Sequence, residues 1–148
     1  MRITDSVFGE MIYDHSWEKD ETIIVSGKEQ PIKVVVAAYE GQGILDIQRE
    51  QYLNYQEGNA IEKIPGVLLR YYIDNYDSIA ENMVIPDRIK KDNIDELFIM
   101  NLIRINAVYF ARNGRYGFLC DCAWDEEHGL CIVLSDGEPR IEEQDYLI

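Results

Sequence analysis

The period of the hydrophobic pattern changes twice along the chain, and this order restricts the folds open to it. Residues 1–40 mostly follow the two-residue period of strands, and residues 44–83 follow the steps of three and four typical of helices. The two-residue period then returns from Ile103, with tight-turn signals at Asn113-Gly114 and Asp136-Gly137 that favour antiparallel pairing. We therefore predict an α+β fold: one antiparallel sheet of about six to seven strands, with two to three helices inserted mid-chain and packed on one face.

The middle of the chain predicts helices over about 44–56 and 66–82. Pro65-Gly66 interrupts the stripe, so residues 57–65 are either separate or a kinked extension of the second helix. A short helix over Ile94 to Met100 is expected, with Asp92 as its cap. Four helical tyrosines are predicted to be half-buried in the core: Tyr52, Tyr55, Tyr72 and Tyr76.

The strands fall on both sides of this helical region. The nearly continuous Val and Ala run from Ile32 to Tyr39 predicts a central strand covered on both faces. Later strands are expected over Tyr116 to Trp124 and Gly129 to Leu134, and a final edge strand over Arg140 to Ile148.

Length and charge limit the class of protein. The 148 residues predict a single domain, 1–148, and 28 acidic against 14 basic side chains give a net charge of -14. Nucleic-acid phosphate repels such a chain, and no apolar run approaches the ~20 residues of a membrane span. The start of the chain has no apolar leader, and three cysteines do not form a disulfide framework, so we expect a cytoplasmic protein.

The segment from Tyr116 to Leu130 is the most unusual stretch and allows a metal-binding interpretation. Cys120 and Cys122 share one face of a strand, and His128 and Cys131 could approach from the next, as sulfur and nitrogen ligands suited to Zn²⁺. Zinc knuckles, however, use Cys-x2-Cys in a turn. We favour a buried face without metal or cofactor, formed by Tyr116, Phe118, Cys120, Cys122 and a largely buried Trp124.

A hydrolytic interpretation of the same segment uses Glu126, Glu127 and His128 as an acid/base set. The sequence contains no Gly-rich nucleotide loop and no recognisable set of nucleophile, base and orienting group. We therefore predict a non-enzymatic protein. A metal-binding or hydrolytic domain built on Cys120, Cys122 and His128 is the alternative.

The third interpretation is a structural motif that carries a binding face. Asp125 can bond amides of its own turn, His128 before Gly129 can bond within the hairpin, and Trp124 can anchor the turn to the helices. The last 34 residues hold nine acidic and two basic side chains, a net charge of -7. We expect this acidic surface to bind a basic protein, although a solvated face or a scaffolding role are alternatives. Its candidate binding residues are Glu126, Glu127, Glu142 and Glu143.

The string Trp124-Asp-Glu-Glu-His-Gly129, with Gln144-Asp145 near the end of the chain, resembles a family of uncharacterised bacterial α+β domains. In that family an aromatic-containing strand runs into Trp-Asp-x-Glu-His-Gly, and the similarity extends back to Phe8-Gly9. Members commonly carry Gly where Cys131 stands here. They are often suggested to be immunity-type proteins that neutralise toxins, so the resemblance implies an inhibitor whose partner is a toxin.

Overall fold

A computed structural model describes all 148 residues, Met1–Ile148. It contains an eight-stranded sheet and four α-helices, with short 3₁₀ segments at Asp87–Ile89, Met100–Leu102 and Gln144–Tyr146. The strands are β1 (Arg2–Asp5), β2 (Gly9–Tyr13), β3 (Trp17–Val25), β4 (Lys28–Val36), β5 (Ile103–Phe110), β6 (Tyr116–Cys122), β7 (Leu130–Val133) and β8 (Arg140–Glu142). The helices are α1 (Asp46–Glu57), α2 (Ala60–Asp74), α3 (Tyr76–Asn82) and α4 (Glu96–Ile99).

The spatial order of the strands equals their order in the chain, and the sheet is mixed rather than antiparallel. Six of the seven pairings are antiparallel, but β4 and β5 run parallel, with Lys33 opposite Ala107 and Val36 opposite Phe110. The prediction of an all-antiparallel sheet was therefore wrong at this pair. All four helices lie between these two strands, and a long crossover of this kind is what a parallel pair requires.

A buried glutamine joins the crossover to the sheet. Gln48 on α1 is 1% exposed, and its Nε2 donates to the carbonyls of Ala37 and Phe110, both at 3.0 Å. These carbonyls lie at the ends of the two parallel strands, where the ladder stops. The Gln48 Oε1 also accepts from the amide of Leu45 at 2.9 Å. One side chain thus fixes the start of α1 against both strands.

Aromatic side chains fill the space between α1 and the sheet. The rings of Phe8 and Tyr52 stack with centres 4.4 Å apart, and Phe110 meets both rings edge-on. The Tyr52 hydroxyl accepts from Lys19 Nζ at 2.8 Å and donates to Glu21 at 3.0 Å, so its polar end is satisfied. Tyr52 and Tyr72 are fully buried, deeper than predicted, whereas Tyr55 and Tyr76 are half-buried as expected.

The helix predicted over 66–82 is two helices, α2 and α3, which begin earlier, at Ala60, and end at Asn82 as predicted. Residues 60–65 are an extension of this helix, with Pro65 inside α2, whereas Glu57 ends α1 and residues 58–59 separate the two helices. The missing N–H is tolerated because Ile64 and Leu68, on either side of Pro65, are completely buried against the sheet. α4 is capped by Asp95, whose carboxylate accepts from Phe98, and not by Asp92. The short helix therefore begins later than the sequence indicated.

The outer face of the sheet is less covered than expected. Helices pack on one face, so Ile32, Val34 and Val36 of β4 are buried while Lys33 between them is exposed. β4 is central in the strand order, but it is not covered on both faces. The last strand stops at Glu142, and the chain folds over so that Leu147 packs on Cys131 and Val133 of the outer face. No helix of the protein has the length and apolar character needed to cross a membrane.

We expect Gln48→Met to destabilise the fold by about 1–3 kcal/mol, because the carbonyls of Ala37 and Phe110 each lose one donor and the Leu45 amide loses its side-chain acceptor. The control Gln56→Met changes an exposed glutamine of the same helix and should stay within about 0.5 kcal/mol of the parent. Urea unfolding followed by circular dichroism measures both. Equal midpoints for the two variants would show that Gln48 does not hold the crossover.

Candidate functional site

The loop between β6 and β7 is a closed turn built around Asp125. The Asp125 Oδ1 accepts from the backbone N–H of His128 and lies 3.1 Å from its Nδ1, also a hydrogen-bond distance. The Asp125 carbonyl accepts from Gly129 at 2.8 Å, and its amide donates to Cys122 at 3.2 Å. Asp125 and His128 thus occupy the turn positions that the sequence predicts, and their contacts are local.

Gly129 allows the turn to pack closely against the Cys120 carbonyl and the side chain of Gln144. Its φ of +63° lies in the left-handed region, and an added Cβ would stand 2.3 Å from the Cys120 carbonyl and 2.7 Å from Gln144 Nε2. The Gln144 amide fills this space by donating to Cys120 O at 3.1 Å. Gly129 and Gln144 therefore pack against each other, and this contact gives each of them a structural role.

Trp124 is partly buried: its ring packs against the hydrophobic core and keeps some exposed surface. β6 ends at Cys122, so Trp124 lies past the strand and is not part of its buried face. Its ring stacks on Tyr71, with centres 6.4 Å apart, and lies 5.5 Å from the ring of Tyr72. Part of the indole is held by α2, and the rest is open to solvent.

Two adjoining hollows flank Trp124, and together we call them the acidic groove. The first, about 600 Å³, is lined by Asn82, Met83 and the whole run Ala123 to His128. The second, about 190 Å³, lies between Trp124 and the end of β8, and Glu142 and Glu143 line it. Asn82, Trp124 and Asp125 border both hollows. All four glutamates named from the sequence therefore line a groove with Trp124 at its centre.

The helices contribute groove residues that the sequence did not indicate. The opposite wall is formed by Tyr71 of α2, by Asn75 between the two helices, and by Ser78 and Asn82 of α3. The side-chain amides of Asn75 and Asn82 donate to carbonyls one turn earlier, at 2.9 and 3.0 Å. The only signal for these residues was the polar side of the helical stripe, which does not say which part of the sheet it meets.

Most of the groove carboxylates lack an internal cation. Glu142 lies 3.4 Å from Arg140 Nε. In contrast, Glu126, Glu127 and Glu143 take part in no ion pair within 4.0 Å, and all three are exposed. Exposed unpaired carboxylates contribute little to the fold. They are available to a partner.

The three cysteines do not assemble with His128. Cys120 and Cys122 belong to the buried core on the helix side, whereas Cys131 pairs with Leu119 and lies on the outer face with Leu147. No group of three or more His, Cys, Asp or Glu side chains is arranged to hold a metal ion. Burial raises the pKa of all three thiols, to about 12 for Cys122 and Cys131. These thiols are therefore protonated at neutral pH and weak nucleophiles.

The family described as a domain of unknown function (DUF6985) matches residues 7–148 of the chain. This agrees with the expectation of an uncharacterised domain family that covers nearly the whole sequence. The match does not address the motif, the bacterial origin or the immunity-type role, which stay predictions. No curated protein and no solved structure matches the chain.

We expect Gly129→Ala to destabilise the protein by about 1–3 kcal/mol more than Gly137→Ala, because only the first inserts a methyl group into a backbone carbonyl. Both glycines have positive φ, +63° and +99°, and Gly137 has no neighbour within 4 Å. The control therefore carries only the backbone cost of about 1–2 kcal/mol. Thermal and urea unfolding compare the pair, and equal losses would mean that Gly129 is not packed as described.

We expect the pKa of His128 to lie above its ordinary value of 6.5, chiefly because of the hydrogen bond to Asp125, with the charges of Asp125 and Glu127 adding to it. Because folding favours the protonated ring, its contribution is present below pH 6.5 and is lost as the pH rises through the folded-state pKa. NMR titration should show a drop in this pKa in Asp125→Asn but not in Glu57→Gln, which changes an exposed carboxylate of α1. A pKa unaffected by Asp125→Asn would contradict this contact.

Proposed function

We propose that this chain, which belongs to the DUF6985 family, is a non-enzymatic cytoplasmic binding protein whose acidic groove binds a basic protein. The partner we propose is a toxin, and the chain would then act as an immunity-type inhibitor. The observation that carries the proposal is the partly exposed Trp124 between two hollows, each lined by at least one unpaired glutamate.

The groove has the chemistry to receive a lysine or arginine side chain. A partner cation over the free part of the Trp124 ring would gain a cation–π interaction, which is strongest with tryptophan. Glu143 lines one hollow beside the ring and Glu127 lines the other, so a cation bound in either hollow meets a carboxylate that can accept its hydrogen bonds. Tyr71 supports the ring from behind, so the anchor is already ordered before binding.

Different residues of the turn hold the fold and face the solvent, and this separation supports a recognition role for the exposed ones. Asp125, His128 and Gly129 close the turn through local hydrogen bonds and close packing. Glu126 and Glu127 lie between them, exposed and without any hydrogen bond that holds the fold. A turn that fixes two adjacent free carboxylates beside an aromatic ring resembles a binding edge, where aromatic anchors lie at the centre and charges at the rim.

Net charge adds a long-range component to binding. The chain carries -14, and half of that excess lies in the last 34 residues, which supply the turn and β8. Complementary charge raises association rates from about 10⁵–10⁶ M⁻¹s⁻¹ toward about 10⁸ M⁻¹s⁻¹ at low salt. Fast association suits an inhibitor that must bind a toxin before the toxin reaches its target.

Site-specific photocrosslinking in the native cell identifies the partner. A photoreactive residue at Glu127 lies in the groove, and one at Glu57 lies on α1 outside it. We expect a single basic protein to crosslink from Glu127 and not from Glu57. The same proteins captured with equal yield from both positions would argue against a recognition role for the groove.

Binding kinetics with that partner then test the carboxylates. The variant Glu126→Gln, Glu127→Gln, Glu142→Gln, Glu143→Gln should associate several-fold more slowly and lose most of its salt dependence, because steering by these charges is removed. Trp124→Ala should mainly speed dissociation, as expected for a central aromatic anchor.

The matched control removes four exposed, unpaired glutamates elsewhere: Glu29, Glu40, Glu50 and Glu57. It changes the net charge equally, so it should slow association much less than the groove variant. Both variants should unfold within about 1 kcal/mol of the parent. If the groove variant and the control bind with the same rate and salt slope, the groove glutamates are a solvated face.

A further inference from the structure

A second concave site lies on the outer face of the sheet and shares no lining residue with the acidic groove. It is a cavity of about 650 Å³, within the range of small-molecule sites. Three loops and the end of the chain enclose it: the turn at His15, the segment after β4 at Tyr39, the β5–β6 turn at Arg112 to Arg115, and the segment from Asp145 onward.

Two arginines of this cavity lack a carboxylate partner in a chain that has twice as many acids as bases. Arg112 uses only Nη1, which donates to the carbonyls of Ala37 at 3.2 Å and Gly43 at 3.1 Å. Arg115 likewise uses Nη1 for the Tyr146 carbonyl at 3.3 Å. Neither forms an ion pair within 4.0 Å, so Nε and Nη2 of both guanidinium groups are available. These contacts hold the two arginines in place without neutralising them.

Three tyrosine rings, with small and aliphatic side chains beside them, supply the apolar part of the lining. Arg115 lies 4.1 Å from the centre of the Tyr146 ring, which fixes its guanidinium plane. Tyr109 is half-buried on the floor of the cavity, and Tyr39 is 79% exposed at its side. An exposed tyrosine next to fixed arginines combines a stacking surface with donors for an anion.

We propose that this cavity binds a small organic anion with one carboxylate or phosphate head and an aromatic body. The head would accept hydrogen bonds from the free N–H groups of Arg112 and Arg115. The forked geometry of a guanidinium group fits a carboxylate and a phosphate alike. The body would pack on Tyr39 and Tyr109. Asp145 also lines the cavity and offsets part of the positive charge, so the site suits a small anion rather than a polyanion such as nucleic acid.

The probes are phenylacetate for the carboxylate head, phenyl phosphate for the phosphate head, and inorganic phosphate for a head without a body. NMR spectra of the ¹⁵N-labelled protein report binding at each residue. We expect at least one aromatic probe to bind with a roughly millimolar Kd, as fragments of this size do, and to shift Arg112, Gly114 and Arg115. Inorganic phosphate should bind more weakly than the aromatic probes because it lacks a body. Whichever aromatic probe has the lower Kd shows whether the cavity prefers a carboxylate or a phosphate head.

The variants separate this site from non-specific attraction. Arg112→Gln with Arg115→Gln should weaken the better probe at least tenfold, because charge-assisted hydrogen bonds are lost. Arg70→Gln removes an exposed cation of α2 outside the cavity and should leave the Kd unchanged. Arg115→Lys keeps the charge without the fork and should weaken binding several-fold while the melting temperature stays constant.

Three results would overturn the proposal. They are no shift near Arg112 with either aromatic probe at millimolar concentration, an unchanged Kd in the folded double variant, and equal weakening by Arg70→Gln. Because the acidic groove shares no residue with the cavity, these outcomes do not depend on whether the groove binds a protein.

Discussion

The fold depends on how the chain crosses from β4 to β5. These two strands are parallel neighbours, so the 66 residues between Val36 and Ile103 must leave one end of the sheet and return to the other. Gln48 fixes the start of that crossing by donating to a carbonyl at the end of each strand. Because a buried amide with unmet partners is costly, this placement of α1 is specific, and the later helices follow on the same face.

The crossing in turn places α2 and α3 against the end of β6 and β7. Tyr71 and Tyr72 meet Trp124 there, and the polar side of α3 faces the turn that follows β6. The groove therefore exists only when the helices return over this part of the sheet. The turn is built locally by Asp125 and Gly129, whereas its surroundings are built by the topology.

Local features could be predicted from the sequence, and long-range ones could not. The turn at Asn113-Gly114, the first helix and the exposed glutamates all depend on neighbours in the chain, and they were predicted closely. The parallel pairing of β4 with β5 was missed because strand direction leaves no trace in a two-residue period. The position of Trp124 outside β6 was missed for a related reason: the alternation of the sequence continues past Cys122, where the strand ends. The cavity at Arg112 is assembled from four distant segments, so no spacing in the sequence reveals it.

The most direct test of a recognition role for the acidic groove is hydrogen–deuterium exchange on the chain with and without the protein captured from the cell. Binding at the groove predicts slower exchange at residues 123–129, at 140–144 and at the end of α3, with little change in β1 to β3. Protection confined to the outer face around Arg112, or spread evenly over the sheet, would contradict the assignment of the groove as the binding surface.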